Sequence, residues 1–433
     1  MNLDKRQFLK AAMGAALAAP LVGCASSRSN DDPKDAKPLA ATKRIGPIGM
    51  PPAIGVDERL TRVARAQALM KEHDIDAILL EPGSAMSYFS GISWWRSERL
   101  TAVIIPAEGA IGVVTPFFEE PSVRESMTFG DDVRTWHEHE NPFDLVRDIL
   151  RDRGMNRGRI GLEDTVRYFV PNGLSDSMPE FAHVSAQPIT RGCRMFKSTN
   201  ELRLMRAASE VTMIAYEHVS SQIREGMTGN DIKQLMNRTQ TELGGRGAWS
   251  LILVGPASAY PHGTGVQEPV RRGDIVLMDC GCRVHGYQSD ISRTFVLGSA
   301  SGDQRAVWDQ VRRGQQIAFE AAQLGRTAGS VDDAVRSWYE SQGYGPGYAT
   351  PGLSHRTGHG IGMDGHEPVN FVHGEKTRLA PGMCFSNEPG LYDFDRFGVR
   401  LEDCLYLTEQ GPRWFTVPPD SIDDPLGKMG PEI

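Results

Sequence analysis

The stretch Ile275-Val276-Leu277-Met278-Asp279-Cys280-Gly281, followed by Ser289-Asp290-Ile291-Ser292-Arg293-Thr294, decides how this chain is read. A run of apolar residues leads into a carboxylate, the pattern of a buried strand with an acid at its end. An acid there is costly unless it is paired or bound to a cation. Gly281 and Gly286 mark a turn between the two halves. A strand, a glycine-rich turn and a returning strand would bring Asp279 and Asp290 together. Taken alone, an Asp at a strand end is most often a turn residue.

The same pattern recurs further along the chain. Glu388 follows an expected strand over 383–387 and precedes Pro389-Gly390. Glu402 lies in Val399-Arg400-Leu401-Glu402-Asp403, inside an expected strand over 399–407. His359 stands in Gly358-His359-Gly360-Ile361-Gly362, where flanking glycines permit close backbone approach and leave the imidazole accessible. Four carboxylates and one imidazole form a hard, oxygen-rich donor set. It suits Mn(II), Fe(II), Co(II) or Zn(II) in a dinuclear arrangement. Without a cation, carboxylates crowded together repel one another and take up protons.

Around this set the chain divides into two parts. Residues 57–190 alternate helix-periodic and strand-like segments: a helix from Asp57, strands at 77–80, 102–106 and 110–115, a helix at 143–153 and a strand at 159–162. That alternation predicts an α/β domain. A second domain, 198–410, opens on the capping box Ser198-Thr199-Asn200-Glu201 and a long helix. Thr228 and Asp231 start another helix, and strands then alternate with helices near 303–324 and 330–342. The Pro-rich end, 411–433, reads as an irregular surface segment.

The first 24 residues read as an export signal. Lys5-Arg6-Gln7-Phe8-Leu9-Lys10 is basic, and 11–22 is an apolar run too short to span a bilayer as a mature helix. Leu21-Val22-Gly23-Cys24 resembles a bacterial lipoprotein signal with Cys24 as the lipidated residue. The basic segment also resembles a twin-arginine signal, with Lys5 in place of the first arginine. Export to the periplasmic side and a lipid anchor at Cys24 are expected, by either the general or the twin-arginine route. Residues 25–56, rich in Ser, Asp, Lys, Pro and Gly, read as a flexible tether.

The chain has 433 residues, 40% apolar and 24% charged, with a formal net charge of -8, which suits a soluble globular protein and disfavours a nucleic-acid partner. Cys193, Cys280, Cys282, Cys384 and Cys404 are scattered and read as small buried apolar residues rather than a disulfide framework. With no other long apolar stretch, membrane contact is expected only through the anchor.

Together, Met278-Asp279-Cys280-Gly281, Ser289-Asp290-Ile291-Ser292-Arg293-Thr294, Gly358-His359-Gly360, Asn387-Glu388-Pro389-Gly390 and Val399-Arg400-Leu401-Glu402-Asp403 resemble the ligand segments of the pita-bread metallopeptidases. That family includes methionine aminopeptidase, aminopeptidase P and prolidase. The resemblance spans about 57–410 and implies a creatinase-type N-terminal α/β domain followed by a pita-bread domain, a curved, mainly antiparallel sheet covered by helices. It implies Asp279 on one metal ion, His359 and Glu388 on the other, and Asp290 and Glu402 bridging. Mn(2+) is the first expectation for both ions, with Zn(2+), Co(2+) or Fe(2+) as alternatives. His262 in Ala259-Tyr260-Pro261-His262-Gly263, His366 and Arg400 match residues of the Xaa-Pro-cleaving members, as does Tyr88-Phe89-Ser90-Gly91 with Trp94 and Trp95. The implied activity is hydrolysis of the bond between an N-terminal residue and proline, as an aminopeptidase or dipeptidase, through a metal-bridging hydroxide. Glu388 would shuttle protons. His262 and His366 would hydrogen-bond the substrate. Arg400 would orient a bridging carboxylate or bind a substrate carboxylate. His355 faces the pocket or serves as a turn histidine. A proline-containing peptide is the implied partner, and a homodimer or larger homo-oligomer the implied assembly. Phosphotriester hydrolysis, metal-free creatinase-type chemistry and a non-catalytic binding role remain as rivals.

Overall fold

The computed structural model describes residues 46–433. The expected signal with Cys24, and residues 25–45 of the expected tether, lie outside the described residues. The remainder of that segment is not free. Ile48 donates its backbone N–H to Leu243 O at 3.1 Å, Ile48 and Met50 pack against a buried core, and Ile54 joins it. These apolar side chains give the segment something to bury that its Pro and Gly content conceals.

Helix α1 (Val56–Glu72) leads into β1 (Ala77–Leu80), α2 (Ser84–Ser90), β2 (Ala102–Pro106), β3 (Gly112–Pro116), α3 (Glu120–Ser126) and β4 (Val133–Trp136). The chain continues through α4 (Pro142–Asp152), β5 (Gly158–Leu162), α5 (Phe169–Ser177), β6 (Phe181–Ser185) and α6 (Gln187–Arg194). The six strands form one mixed sheet in the order β4-β3-β2-β1-β5-β6. Every residue of β1 is buried because both faces are covered: Ile78 and Leu80 point into one apolar cluster, Ala77 and Leu79 into another.

The second part starts with α7 (Thr199–Ser220) on the expected capping box, in which Ser198 and Glu201 satisfy each other's backbone N–H groups. Next come α8 (Gly229–Glu242), β7 (Arg246–Val254), β8 (Ile275–Val284), β9 (Tyr287–Gln288), β10 (Ile291–Val296), α9 (Gly302–Ala321) and α10 (Gly329–Ser341). Strands β11 (Gly358–Gly360), β12 (Glu367–Phe371), β13 (Cys384–Asn387), β14 (Gly390–Tyr392), β15 (Gly398–Arg400) and β16 (Asp403–Thr408) follow. The last strands are β17 (Gly411–Trp414), β18 (Thr416–Val417) and β19 (Lys428–Met429). One sheet runs β10-β8-β7 and another β12-β11-β13-β16-β17, with every pairing antiparallel. An N-terminal α/β part followed by mainly antiparallel sheets with helices is the expected fold class. The two parts belong to one compact unit that takes in all the described residues, 46–433. Among the described residues, no helix is long and apolar enough to cross a membrane.

Three expectations are corrected. Strand β8 does not stop at Asp279 but runs on to Val284 and turns through His285 and Gly286, both at positive φ. The single strand expected over 399–407 is broken at Leu401-Glu402. Glu402 exchanges backbone hydrogen bonds with Ser292, at 3.1 and 3.2 Å, while Arg400 pairs with Gly390 and Asp403 with Asn387. The chain thus changes partners at the acid itself. Nor is 411–433 an irregular surface segment. Strand β17 extends the second sheet as its edge, where Pro412 is tolerated, and Phe415 is buried.

Candidate metal centre

Strand alternation sets the site. On β8, Val276, Met278, Cys280 and Cys282 turn toward one core, which leaves Asp279 on the opposite face. Asp279 pairs in register with Ser292 on β10, and Asp290 precedes Ser292 by two residues and so shares its face. Gly281 is required between them. A Cβ there would lie 2.2 Å from Ser289 O and 2.8 Å from the Trp249 ring. Likewise a Cβ on Gly358 would meet Ser386 O at 2.1 Å, which is why His359 can enter from so tight a strand pair. Glu388 follows β13 directly, its N–H bonded to Thr357 O at 2.9 Å, and Glu402 stands at the break between β15 and β16.

These elements bring all five expected donors to one cleft of about 750 Å³, lined also by His262, His355, His366 and Arg400. One ligand atom each from Asp290, His359 and Glu402 lies within 4.8 Å of the others. Glu388 Oε1 is 3.2 Å from His359 Nε2, and Asp290 Oδ2 is 3.8 Å from it. His359 Nδ1 lies 3.1 Å from Gly360 O, so the N–H sits on Nδ1 and Nε2 faces the carboxylates with its lone pair. Burial, then the neighbouring His366, holds the His359 imidazole well below its usual range, in the neutral form a metal needs.

The acids are not at rest. Burial pushes Asp290 well above the usual carboxylate range, and Asp279 and Glu388 push it further. Glu402 is raised the same way, by burial and then by Asp290, Glu388 and Asp279. Glu388 is pushed up to about 7 by burial, with Arg400 pulling it down and Asp279 raising it. Moreover, Asp279 Oδ1, Asp290 Oδ1 and Glu402 Oε1 are buried without a hydrogen-bond partner. Orphaned oxygens on three carboxylates, in a set whose mutual repulsion one arginine does not offset, fit divalent cations.

All three nitrogens of Arg400 are engaged. It donates to Asp279 Oδ2 at 2.6 Å, Ser292 Oγ at 3.0 Å, Pro261 O at 3.0 Å and Tyr392 Oη at 3.3 Å. Of its two expected roles, positioning a carboxylate has the geometric support. Its direct partner, however, is Asp279, while Glu402 is reached only through Ser292 Oγ, which donates to Glu402 Oε2 at 2.8 Å. His366 packs edge-on against His359 with ring centroids 4.2 Å apart, and His262 lies exposed on the rim. His355 meets both of its readings. It lines the cleft, yet its ring nitrogens are taken by Arg356 O at 2.8 Å and Tyr392 Oη at 2.9 Å, and burial, then Arg400, lowers its pKa to about 3. Trp94 is partly buried and stacks on Trp95, which is 62% exposed.

Sequence reasoning missed Ser292, Ser386, Tyr392 and Arg356. Ser292 carried a signal, since it lies two residues after Asp290 on a strand. Ser386 Oγ caps the His359 N–H at 2.9 Å and Glu388 Oε1 at 3.3 Å, and it too lies two residues before an acid. Nothing local marks Tyr392 or Arg356.

The model of metallopeptidase family M24 matches residues 203–409, and that of the creatinase/prolidase N-terminal domain matches 62–196. A probable dipeptidase PepE of Mycobacterium tuberculosis is 32% identical over 354 residues, covering 81% of this chain and 92% of that one. An Xaa-Pro dipeptidase of Lactobacillus helveticus is 29% identical over 357 residues, covering 81% and 95%. The crystal structure of dipeptidase PepE from Mycobacterium ulcerans superposes with a TM-score of 0.78 at 29% identity, covering 84% of this chain and 96% of that one.

Proposed function

The chain belongs to metallopeptidase family M24, a hydrolase family, and from that premise we propose that it is a two-metal peptidase that cuts the bond between an N-terminal residue and proline. One observation carries the reading: Asp279, Asp290, His359, Glu388 and Glu402 converge on a single cleft in which three carboxylates keep an orphaned oxygen. Relatives named as Xaa-Pro dipeptidases support the substrate class.

Asp279 would hold one ion, His359 and Glu388 the other, and Asp290 and Glu402 both. Asp290 suits a shared place because it neighbours both Asp279 and His359. When bound, two divalent ions supply Lewis acidity for the scissile carbonyl and for the attacking water. Glu388, a carboxylate on the cleft wall, can take a proton and pass it to the departing proline nitrogen. That nitrogen carries no hydrogen in the peptide, so it must receive one before it leaves as an amine. His366 and His262 stand on the cleft wall and rim, where an imidazole can donate to a peptide carbonyl. Arg400 keeps Asp279 in place throughout.

Metal analysis, with Mn(2+) the first expected ion, combined with assays of Gly-Pro, Gly-Pro-Gly and a Met-initiated peptide tests this. Cleavage confined to the Met peptide sinks the proline reading. Retained turnover in Glu388→Ala removes Glu388 from the chemistry. The export reading of residues 1–24 joins the proposal. Labelling with radioactive palmitate should mark the wild-type chain and not Cys24→Ala; equal labelling of both overturns the anchor.

A further inference from the structure

Two guanidinium groups line the metal cleft, and they differ in one respect. Arg400 makes four hydrogen bonds, with each of its three nitrogens engaged. The Arg356 side chain makes no hydrogen bond and no ion pair among the described residues, although its residue is half-buried and lines the same cleft. All four carboxylates lining the cleft belong to the donor set, so none is left to partner Arg356. Its charge reaches His366, whose imidazole is lowered by burial first and by Arg356 second, and also Glu388, without a hydrogen bond to either.

The backbone beneath Arg356 is fixed with unusual thoroughness. Arg336 donates to Leu353 O at 2.8 Å, to Gly347 O at 2.9 Å and also to His355 O. Asp332, paired with Arg336 at 2.7 Å, accepts from Thr357 N at 3.0 Å and from Thr357 Oγ1 at 2.7 Å. His355 Nδ1 sits 2.8 Å from Arg356 O. A buried ion pair thus holds the residues on both sides of Arg356, and the guanidinium is the one charged group of 353–357 with nothing to hold. A cation on a fixed backbone, facing a cleft and making no hydrogen bond or ion pair of its own, is a site for a substrate anion.

We propose that Arg356 receives the C-terminal carboxylate of the substrate, and that this contact makes the enzyme a dipeptidase rather than an aminopeptidase for longer peptides. The inference rests on the Xaa-Pro reading above and decides what that reading leaves open. In a dipeptide the free carboxylate belongs to the residue just after the scissile bond. One further residue moves it by roughly 3.3–3.6 Å, beyond reach of a fixed partner. A planar guanidinium meets a carboxylate through two parallel hydrogen bonds, so it also orients the proline.

The test compares Gly-Pro, Gly-Pro-amide and Gly-Pro-Gly in wild type, Arg356→Gln and Arg356→Lys, by kinetics and by calorimetric titration of Gly-Pro and Gly-Pro-amide into the metal-free protein. Wild type should prefer Gly-Pro over the amide. In Arg356→Gln that preference should collapse through a rise in KM for Gly-Pro of about 10- to 100-fold, with kcat changing little. Arg356→Lys should recover part of it, since charge remains and the fork is lost. Titration should show the same loss of preference, and unchanged melting temperatures exclude misfolding. Wild type binding acid and amide alike, or a variant that weakens both equally, overturns the proposal. Absence of cleavage of every proline peptide by wild type, with acid-selective binding intact, would instead condemn the Xaa-Pro reading and leave the carboxylate site standing.

Discussion

Arg400 Nη2 donates a hydrogen bond to Asp279 Oδ2 at 2.6 Å. The same guanidinium holds Ser292, which in turn holds Glu402. One arginine therefore sets two expected metal ligands from outside the donor set. Its planar fork makes both contacts at once, which a lysine cannot copy.

Arg400→Lys should keep the fold and lower metal affinity or turnover by about 10- to 100-fold, the usual cost of losing a group that orients a ligand. Ser292→Ala should do the same, and the two changes together should cost less than their sum because they break one chain of contacts. Metal stoichiometry and kcat on Gly-Pro measure both. Additive losses would show that Ser292 acts independently of Arg400.

Metal removal should leave a protein whose stability falls as pH rises. Asp290, Glu402 and Glu388 have folded-state pKa values above the ordinary carboxylate range, the last at about 7. A raised pKa means the folded state binds the extra proton. The contribution is complete below the unfolded value near 4.5 and is lost as pH climbs through about 7. Melting temperature after chelation should therefore be lower at pH 8 than at pH 5.5, and added Mn(2+) should restore more of it at pH 8. A chelated protein indifferent to pH over that window would mean the acids are not crowded as described.

Glu367 behaves in the opposite sense. It is buried, accepts from Lys197 Nζ at 2.9 Å and from the N–H groups of Met363 and Asp364, and pairs with Arg194. Burial opposes ionisation, but Lys197 and Arg194 win and bring its pKa down to about 2. A depressed pKa adds stability above 4.5 that disappears as pH falls toward 2, on the order of 3 kcal/mol in all. Glu367→Gln should lose that stability already at pH 7, by about 3–5 kcal/mol, because two cations stay buried without their partner. Thermal melts from pH 7 to pH 3 should converge for the two proteins; parallel curves would remove Glu367 from the acid transition. The change should also loosen His366, its neighbour on the cleft, and so raise KM.

The donors were legible together rather than singly. Asp279 after Ile275-Val276-Leu277-Met278 and His359 between Gly358 and Gly360 each also read as a turn or structural residue, and the five segments in order carried the site. The capping boxes at Ser198 and Thr228 were legible for a local reason, since their hydrogen bonds span three residues. What escaped was long-range. Glu402 interrupts its strand because it pairs with Ser292, 110 residues away, and no window around 399–407 contains that partner. Arg356 escaped because its meaning lies in what it lacks. The Pro-rich end was misjudged because proline content describes the edge position of β17 rather than the burial of Phe415 behind it.

That end also braces the metal site from below. Arg293 and Asp403 are fully buried and paired, with nitrogen–oxygen distances of 2.8 and 3.2 Å. Arg293 further donates to Glu402 O at 2.9 Å and Leu426 O at 2.7 Å, and Thr416 donates to Asp403. Arg293→Met should cost about 3–5 kcal/mol, since it leaves the buried Asp403 charge without its cation. Ending the chain before Thr416 should weaken the same pair by removing Leu426 O and the Thr416 hydroxyl, and should uncover Phe415, whose core Leu426 and Met429 pack against. Both changes reach Glu402 through its carbonyl, so melting temperature and metal retention should fall together. A shortened chain that melts earlier yet binds metal as tightly would show that the brace serves the fold and not the site.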